Sequence, residues 1–394
     1  AARAGIAVAL IDRDQASADA GKGNVEATLA KAVGRGRLSE ADKAAALARI
    51  QPVADFAGLA DVDIVIEAVF EDRALKADVI RRAAAVLPAD AIFASNTSTL
   101  PITTLAAAAV RPQQFIGVHF FSPVEKMMLV EVIMGKKTGD AALATALDFV
   151  RQIRKTPIVV NDSHGFYTSR VVETYVGEGH RMLMEGVPAA MIENAARMAG
   201  MPVGPLALND EVALDLSLKI MNAARAELGA EAVPAEQYAF VEEMVVKRGR
   251  LGRKAGKGFY DYPDDPRGKK RLWPGLTELF PPAADPDRID VGELKHRFLA
   301  VMALETARCI AERVVTDVRE ADVGSILGFG YAPFTGGTLS YIDFMGTARF
   351  VALCTGLAKK HGPRFRPNRL LRDMAKAGET FYGRFPPAGE NHVA

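Results

Sequence analysis

The sequence predicts a doubly wound α/β domain followed by helical domains. Up to residue 158, short apolar runs alternate with alanine-rich stretches of helical spacing. This alternation is typical of a parallel sheet that helices cover on both faces. After Asn161 long helical patterns replace the strands. Residues 293–394 then resemble the helical block before them, which indicates a duplicated unit.

The α/β part contains six apolar runs that predict strands, with helical patterns between most of them. The predicted strands cover 5–11, 62–70, 91–95, 115–120, 128–133 and 157–160, and the predicted helices cover 15–33, 74–86 and 141–153. Ligands of such folds bind at the carboxyl ends of the strands. We therefore expect one crevice to be lined by the residues at those ends: Asp12, Ala68, Val69, Ser95, Asn96 and His119.

Asp12 closes the first predicted strand. An acid at the end of the second strand of a dinucleotide-binding fold hydrogen-bonds the adenosine ribose, and it favours NAD over NADP. The alternative is that Asp12 is a turn residue or a helix N-cap. A glycine-rich GxGxxG fingerprint belongs roughly 20 residues before this acid, and residues 1–11 contain none. We therefore expect the first strand and the phosphate loop to lie upstream, so that this α/β domain is truncated at its N-terminus.

His119 and Glu131 are the polar residues that stand out in the stretch 115–133. Glu131 is the only acid inside its apolar run, and a buried carboxylate requires a partner because burying a bare charge is costly. His119 ends the preceding run and is the expected partner. A histidine held by a carboxylate is suited to act as a general base near neutral pH. The alternative is a buried pair that only supports the fold.

The helical part is predicted to contain helices at 165–186, 189–199, 208–228 and 235–246, before a glycine-rich basic turn at 252–260. Residues 263–292 are rich in proline and aspartate and predict a linker. The duplication aligns Arg170 with Arg297 and Glu178 with Glu305. The predicted domains are therefore 1–158, 159–262 and 293–394, with the linker at 263–292.

Composition excludes several classes of function. The chain has 394 residues and a net charge of +1, so no global field favours nucleic acid. No apolar run is long enough to span a membrane, and no metal-ligand signature occurs. The two cysteines, Cys309 and Cys354, lie in apolar helical patterns. Such core thiols are typical of a reducing compartment, so a cytoplasmic location is expected.

Six segments together carry a resemblance to a known family: IEAVFED (66–72), FASNTSTLPI (93–102), GVHFFSPVEKMMLVEVI (117–133), KTPIVVNDSHGF (155–166), GRKAGKGFYDY (252–262) and GFGYAPFTGG (328–337). Over nearly its whole length the chain resembles the 3-hydroxyacyl-CoA dehydrogenase family. More closely, it resembles the dehydrogenase half of the bacterial multifunctional α subunits of fatty-acid oxidation.

The resemblance implies roles for residues that contact the substrate. His119 would be the catalytic base, Glu131 would orient it, and Ser98 would hydrogen-bond the 3-oxygen of the substrate. Ser122 and Ser169 stand where the family usually has asparagine, and they would contact the substrate with a shorter reach. The alternative for Ser98 is that it, or Thr99, caps a helix that begins after Pro101.

The resemblance also implies the cofactor, NAD, and the residues that contact it. Asn96 would lie near the nicotinamide ribose and Asp12 would hold the adenosine ribose. The remaining positions expected to line the cofactor crevice are Ala68, Val69, Glu71 and Lys76. The alternative for Lys76 is a surface residue of its helix. His164, which replaces the proline of the family's PGF turn, and His180 have no evident acid partner and are not expected to be catalytic.

The activity that the resemblance implies is NAD-dependent oxidation of (S)-3-hydroxyacyl-CoA to 3-oxoacyl-CoA in fatty-acid β-oxidation. An enoyl-CoA hydratase domain would then lie upstream in the same polypeptide, and a thiolase subunit would be a partner. An alternative from the same class is a stand-alone 3-hydroxybutyryl-CoA dehydrogenase of phenylacetate or butanoate metabolism. An alternative from another class is a non-catalytic protein on the same scaffold, because fold does not fix function.

Overall fold

The chain folds into two units, Ala1–Phe166 and Tyr167–Ala394, in a computed structural model that describes residues 1–265, 268–282 and 285–386. The division falls after the last strand of the α/β part, eight residues beyond the predicted boundary at 158. The predicted linker, 263–292, includes residues 266–267 and 283–284, which lie outside the described residues, as do the last residues, 387–394, of the predicted domain 293–394. The further division of the helical part stays a prediction.

The first unit alternates strands and helices as the sequence predicts. Its elements are Val8–Ile11 (β1), Gln15–Gly34 (α1), Glu40–Ala48 (α2), Ile50–Val53 (β2), Ile64–Glu67 (β3), Arg73–Ala84 (α3), Ile92–Ser95 (β4), Ile102–Leu105 (α4), Phe115–Phe120 (β5), Leu129–Met134 (β6), Asp140–Gln152 (α5) and Thr156–Asn161 (β7). The sequence analysis missed α2 and β2. Strand β2 lacks an apolar run because it contains Gln51 and Pro52, and proline is tolerated on an edge strand.

The predicted single parallel sheet is wrong in two respects. First, β1 pairs in parallel with β2 in a separate two-stranded sheet, while the order β3-β4-β5-β6-β7 forms a five-stranded sheet. Second, β5 and β6 are antiparallel, although the other neighbours in the larger sheet are parallel. The reason is the short connection 121–128, because a parallel pair needs a crossover of a dozen or more residues. The predicted upstream strand stays a prediction.

The two faces of the larger sheet carry different kinds of residue. One face carries a buried apolar cluster in which strand residues pack against α5: Ile92, Ala94, Ile116, Val118, Val130, Val132, Ala142, Ala146 and Val150. Because side chains alternate along a strand, the intervening positions of β5 and β6 lie on the opposite face. These positions are paired across the strands as Gly117 with Ile133 and His119 with Glu131. The register of one antiparallel pair therefore aligns the two polar residues.

In its described residues, the second unit is helical apart from one two-stranded ribbon. Its elements are Thr168–Met184 (α6), Ala189–Met198 (α7), Pro205–Val212 (α8), Leu214–Leu228 (α9), Ala235–Glu242 (α10), Tyr260–Asp261 (β8), Arg271–Leu272 (β9), Gly275–Leu279 (α11), Val291–Ala311 (α12), Val318–Phe329 (α13), Thr338–Met345 (α14), Thr347–His361 (α15), Arg369–Ala377 (α16) and Phe381–Arg384 (α17). The predicted single helix at 208–228 is wrong, because Ala213, at φ 87°, separates α8 from α9.

Helices α6 and α12 pack together through two ion pairs that mirror each other. Arg170 Nε contacts Glu305 Oε1 at 2.5 Å, and Arg297 Nε contacts Glu178 Oε1 at 2.6 Å. These are the residues that the internal alignment equates, and each arginine binds a glutamate of the other helix. Such reciprocity is the property of an isologous, two-fold interface, found here within one chain.

Two further hydrogen-bond networks match each other, one between α7 and α8 and one between α13 and α14. In the first, Glu193 on α7 accepts hydrogen bonds from Leu206 N at the start of α8 and from Tyr260 Oη. In the second, Asp322 on α13 accepts from Leu339 N at the start of α14 and from Tyr382 Oη. One further matching pair of acids accepts backbone N–H groups of the two Phe-Tyr segments: Asp210 from Phe259 and Tyr260, and Asp343 from Phe381 and Tyr382.

Gly117 is a packing requirement of the sheet. A Cβ atom at this position would lie 2.8 Å from Ile102 Cδ1 and 2.8 Å from Ile133 Cβ. We expect Gly117→Ala to lower the free energy of unfolding by about 1–3 kcal/mol through overpacking. In the control Gly23→Ala, within α1, nothing lies within 4 Å of the new Cβ, and this change should raise the free energy by about 0.5–1 kcal/mol. Urea unfolding measures both, and equal effects would contradict this account.

The mirrored ion pairs lead to a second stability prediction. Arg297 is 2% exposed and its partner Glu178 is 1% exposed. Arg297→Met leaves that buried carboxylate with less compensation, so the free energy of unfolding should fall by up to about 3–5 kcal/mol. The control is Arg369→Met, which removes an exposed i,i+4 pair with Asp373 and should cost less than about 1 kcal/mol. A loss at Arg297 no larger than the control's would show that the pair does not hold α6 and α12 together.

Candidate active site

The His119–Glu131 pair lies at the carboxyl end of β5. His119 Nδ1 is 3.0 Å from Glu131 Oε2, and the two side chains are 8% and 0% exposed. The predicted pairing is therefore confirmed. An ionised carboxylate only accepts hydrogen bonds, so Nδ1 carries the proton that it donates to Glu131. This leaves Nε2 of the neutral ring as an acceptor, which is the state a general base requires.

Two aromatic rings enclose the imidazole of His119. The ring of Phe121 lies 4.4 Å from it and the ring of Phe166 lies 6.4 Å from it, centroid to centroid. Among the described residues, Nε2 has no hydrogen-bond partner. The histidine is thus fixed through one nitrogen and through its faces, while the other nitrogen remains available.

Ser98 belongs to a loop that a single carboxylate holds. Glu71 Oε1 accepts hydrogen bonds from Thr97 Oγ1 at 2.5 Å, from Ser98 N at 3.1 Å and from Thr99 N at 3.2 Å. Burial acts to raise the pKa of Glu71, but the Thr97 hydroxyl and the charge of Lys76 outweigh it, so the pKa is lowered. Glu71 therefore remains ionised and anchors the loop.

The capping alternative for Ser98 and Thr99 is wrong. The first amides of α4 are capped from a distant strand end, since Ile102 N and Thr103 N donate to the Asp162 carboxylate at 2.9 and 2.7 Å. The hydroxyl of Ser98 is therefore not used as the cap of α4. Its loop follows β4, whose Ser95 is in register with Gly117 of β5. Ser98 and His119 accordingly extend from adjacent parallel strands at the same edge of the sheet.

Lys76 is buried, which excludes the alternative of a surface residue. It is 1% exposed, and its ammonium lies 3.0 Å from both carboxylate oxygens of Glu67, 3.3 Å from Glu71 and 3.3 Å from the carbonyl of Val69. Ser95 Oγ also donates to Glu67. In this arrangement Lys76 fixes the loop that follows β3, and its cofactor role stays a prediction. Between Val69 and Glu71 that loop leaves Phe70 87% exposed.

Asn96 connects this cluster to the dyad. Its backbone N–H donates to Glu67 O at 2.9 Å, and its Oδ1 accepts from Phe120 N at 2.8 Å. Asn96 thus holds the residue next to His119. Its predicted contact with the nicotinamide ribose is not tested by these bonds.

Asp12 follows β1 and does not cap the helix after it. The N-cap of α1 is Asp14, which accepts from Ser17 N at 2.7 Å. Asp12 Oδ1 accepts from Arg13 N at 2.7 Å, and among the described residues its second oxygen has no partner. An exposed carboxylate at a strand end can accept hydrogen bonds from two ribose hydroxyl groups. The position of Asp12 therefore fits a bound dinucleotide.

The remaining predicted positions are distributed over both units. Ser122 is exposed in the connection between β5 and β6, and Ser169 lies in α6 of the second unit. His180 is a core residue: Nε2 lies 3.0 Å from Asn209 Oδ1, and burial lowers the pKa of His180 to about 4.

In the described part of the chain, no three His, Cys, Asp or Glu side chains form a metal-binding group. No described helix is both long and apolar enough to cross a membrane.

Comparison with known proteins identifies the family. Residues 1–163 match the NAD-binding domain of 3-hydroxyacyl-CoA dehydrogenases, and residues 165–262 match their C-terminal domain. The chain is also 37% identical to the (S)-3-hydroxybutyryl-CoA dehydrogenase of Ralstonia eutropha, over 67% of this chain and 93% of that one, with a TM-score of 0.62. The chain belongs to the 3-hydroxyacyl-CoA dehydrogenase family. The prediction of this family, with NAD as the cofactor of its N-terminal domain, is confirmed.

Two further relatives of this dehydrogenase family differ in length. The chain is 40% identical to a fatty acid oxidation complex subunit alpha of Shewanella amazonensis, over 90% of this chain and 49% of the relative. It therefore spans about half the length of that curated relative. The 3-hydroxybutyryl-CoA dehydrogenase of Escherichia coli K12 is similar over 96% of this chain and 95% of its own, with 26% identity and a TM-score of 0.80.

Sequence reasoning missed several residues that build the candidate site. Glu67 and Asp162 are acids at the ends of β3 and β7, and the expectation that a buried carboxylate has a partner would have singled them out. Thr97 lies in the same SNTS run as Ser98. Lys155 lies immediately before β7, and no local pattern indicates its contacts with distant carbonyl groups.

Proposed function

We propose that this chain oxidises (S)-3-hydroxyacyl-CoA to 3-oxoacyl-CoA with NAD. The observation that carries the proposal is the buried His119–Glu131 pair, whose histidine keeps Nε2 available at the edge of the sheet to which the Ser98 loop also extends. A dehydrogenase needs a base for the hydroxyl proton and a donor for the oxygen on which charge develops. His119 and Ser98 are of the residue types that supply these groups.

The proton steps are assigned to named atoms. His119 Nε2 takes the proton of the 3-hydroxyl group while Nδ1–H stays on Glu131, whose charge stabilises the imidazolium that forms. The Ser98 hydroxyl donates to the same substrate oxygen as it becomes a carbonyl. The oxidised nicotinamide, when bound, supplies the acceptor for the hydride from the third carbon. The substrate thus loses one proton to His119 and one hydride to the cofactor.

The cofactor residues proposed from the family are Asp12, Ala68, Val69, Glu71, Lys76 and Asn96. Support comes from the exposed Asp12 carboxylate and from the loop after β3, which the Lys76 and Glu71 bonds hold in one conformation. Such a rigid loop can present backbone groups to a dinucleotide without further ordering.

Ser98, Ser122 and Ser169 are proposed to bind the acyl-CoA. A serine hydroxyl donates one hydrogen bond and reaches less far than the asparagine amide usual at the last two positions. Substrate positioning, chain-length preference and rate are therefore the properties in which this protein should differ from relatives with asparagine.

The whole protein is proposed to be a multifunctional enzyme of β-oxidation with an upstream enoyl-CoA hydratase domain, a thiolase partner and a cytoplasmic location. Support comes from the 40% identity to a fatty acid oxidation complex subunit alpha. A stand-alone 3-hydroxybutyryl-CoA dehydrogenase is the second candidate, because the Escherichia coli protein of that name matches over 95% of its length. Assays of the full-length protein for crotonyl-CoA hydration and for oxidation of short and long 3-hydroxyacyl-CoA separate the two.

The helical unit is proposed to consist of two repeated all-α domains. The reciprocal pairs Arg170–Glu305 and Arg297–Glu178 support this proposal, as do the matching networks centred on Glu193 and Asp322. The second copy would then occupy the face that single-copy relatives use to dimerise.

His119→Gln tests the base. The replacement should reduce turnover with acetoacetyl-CoA and NADH by at least about 10²–10⁴-fold, the range for loss of a general acid–base group. The affinities for cofactor and acyl-CoA should stay nearly unchanged, because the group acts mainly in the transition state. His296→Gln, at an exposed position of α12, is the matched control and should keep wild-type turnover. If His119→Gln retained more than about a tenth of the activity, the pair would only support the fold.

Glu131→Gln tests the carboxylate separately from the base. Glutamine preserves the shape but removes the charge that stabilises protonated His119. The imidazolium should therefore lose its proton more readily, and the pH profile of the oxidation should move towards acid as turnover falls. Rates of oxidation and reduction measured between pH 5 and 9 would show the shift. A profile that keeps its midpoint, or moves towards alkali, would contradict the proposed role.

A further inference from the structure

The connection 121–128 between β5 and β6 is a compact turn beside the proposed base. Lys126 N and Met127 N both donate to the carbonyl of Pro123, at 2.9 and 3.0 Å. The turn begins directly after β5, so its first side chain, Phe121, lies 4.4 Å from the His119 ring. Ser122 follows and is exposed. The conformation of the turn therefore determines what faces an acyl-CoA next to His119.

Lys155 enters this turn from a neighbouring strand. It immediately precedes β7, whose first residue, Thr156, donates its N–H to Met128 O at 2.8 Å. Lys155 Nζ donates to Val124 O at 2.6 Å and also to Met127 O. Carbonyl oxygens are acceptors only, so both bonds use protons of the lysine. One side chain thus joins both halves of the turn.

The position of Lys155 is unusual for a lysine of a surface loop. Its side chain is half-buried, while Ser122 and Val124 in the turn it holds are exposed. Burial lowers the pKa of Lys155, and the charge of Glu125 opposes this effect. Exposed backbone carbonyls can bond to water, so the turn does not need a lysine merely to satisfy them. The two bonds instead restrict a segment that would otherwise have few constraints.

We propose that Lys155 is a positioning residue for the acyl-CoA. It fixes the turn 121–128 so that Phe121 and Ser122 hold the substrate against His119. The inference rests on the proposed dehydrogenase function and extends it to a residue that touches neither the dyad nor the Ser98 loop. Lys155 acts on the substrate side only, since the proposed cofactor positions lie on the loops after β1, β3 and β4 and, for Lys76, on α3.

The test compares three variants of the full-length protein with acetoacetyl-CoA and NADH. Lys155→Met removes the donors but keeps most of the apolar stem, and Lys155→Arg keeps a cation with several donors. Lys137→Met makes the same charge change at an exposed position beyond the other end of β6. We expect Lys155→Met to raise the KM for acetoacetyl-CoA at least about fivefold, because small misplacements of a substrate are costly. The KM for NADH and the pH profile should stay unchanged, Lys155→Arg should restore most of the loss, and Lys137→Met should match wild type.

Three outcomes would overturn the inference: an unchanged KM for acetoacetyl-CoA in Lys155→Met, an equal rise in the KM for NADH, or an arginine variant as defective as the methionine variant. If Lys155→Met does not fold, Lys155→Gln, which retains an amide donor, decides by the same comparison of the two KM values. A wild-type protein without dehydrogenase activity would refute the proposed function itself. Normal wild-type activity with an unaffected Lys155→Met would refute only the role of Lys155.

Discussion

A buried carboxylate, Glu131, constrains much of the first unit. It lies in a strand of apolar residues with none of its surface exposed, so a partner must face it across the sheet. The antiparallel register of β5 and β6 provides His119. The same register places Gly117 beside Ile133, where a side chain would not fit, and the antiparallel pair is closed by the short connection 121–128. The pairing of one acid thus links strand register, core packing and the shape of the adjoining turn.

A second acidic cluster lies at the same edge of the sheet. Glu67 and Glu71 bring two carboxylates together with one ammonium, that of Lys76, and the charge that remains is met by hydrogen bonds from residues 95–99. Because β3, β4 and β5 run parallel, their ends deliver this cluster, the Ser98 loop and His119 to one edge. Charge compensation orders the loops here, since no apolar core can do so at a sheet edge.

The helical unit uses buried charge in a different way. Its ion pairs join α6 to α12, and each arginine contacts the helix to which it does not belong. Its capping acids, Glu193 and Asp322, each join a helix start to a tyrosine hydroxyl. Removing one partner of such a pair lowers the free energy of unfolding strongly, whereas the intact pair contributes little net free energy to folding. They therefore specify which surfaces meet more than they add stability.

The sequence by itself determined the α/β alternation and the His119–Glu131 pair, because apolar periodicity and an isolated buried acid are local signals. Only the tertiary structure decided the antiparallel β5–β6 pair within the sheet, the separate β1–β2 sheet and the break at Ala213. It also decided the partners of Lys76, Asp162 and Lys155. These contacts join residues that are far apart in the chain. The sequence around a charged residue does not indicate which distant carbonyl or carboxylate group it will bind. Their geometry is set by which strands become neighbours, and that depends on the packing of the whole unit.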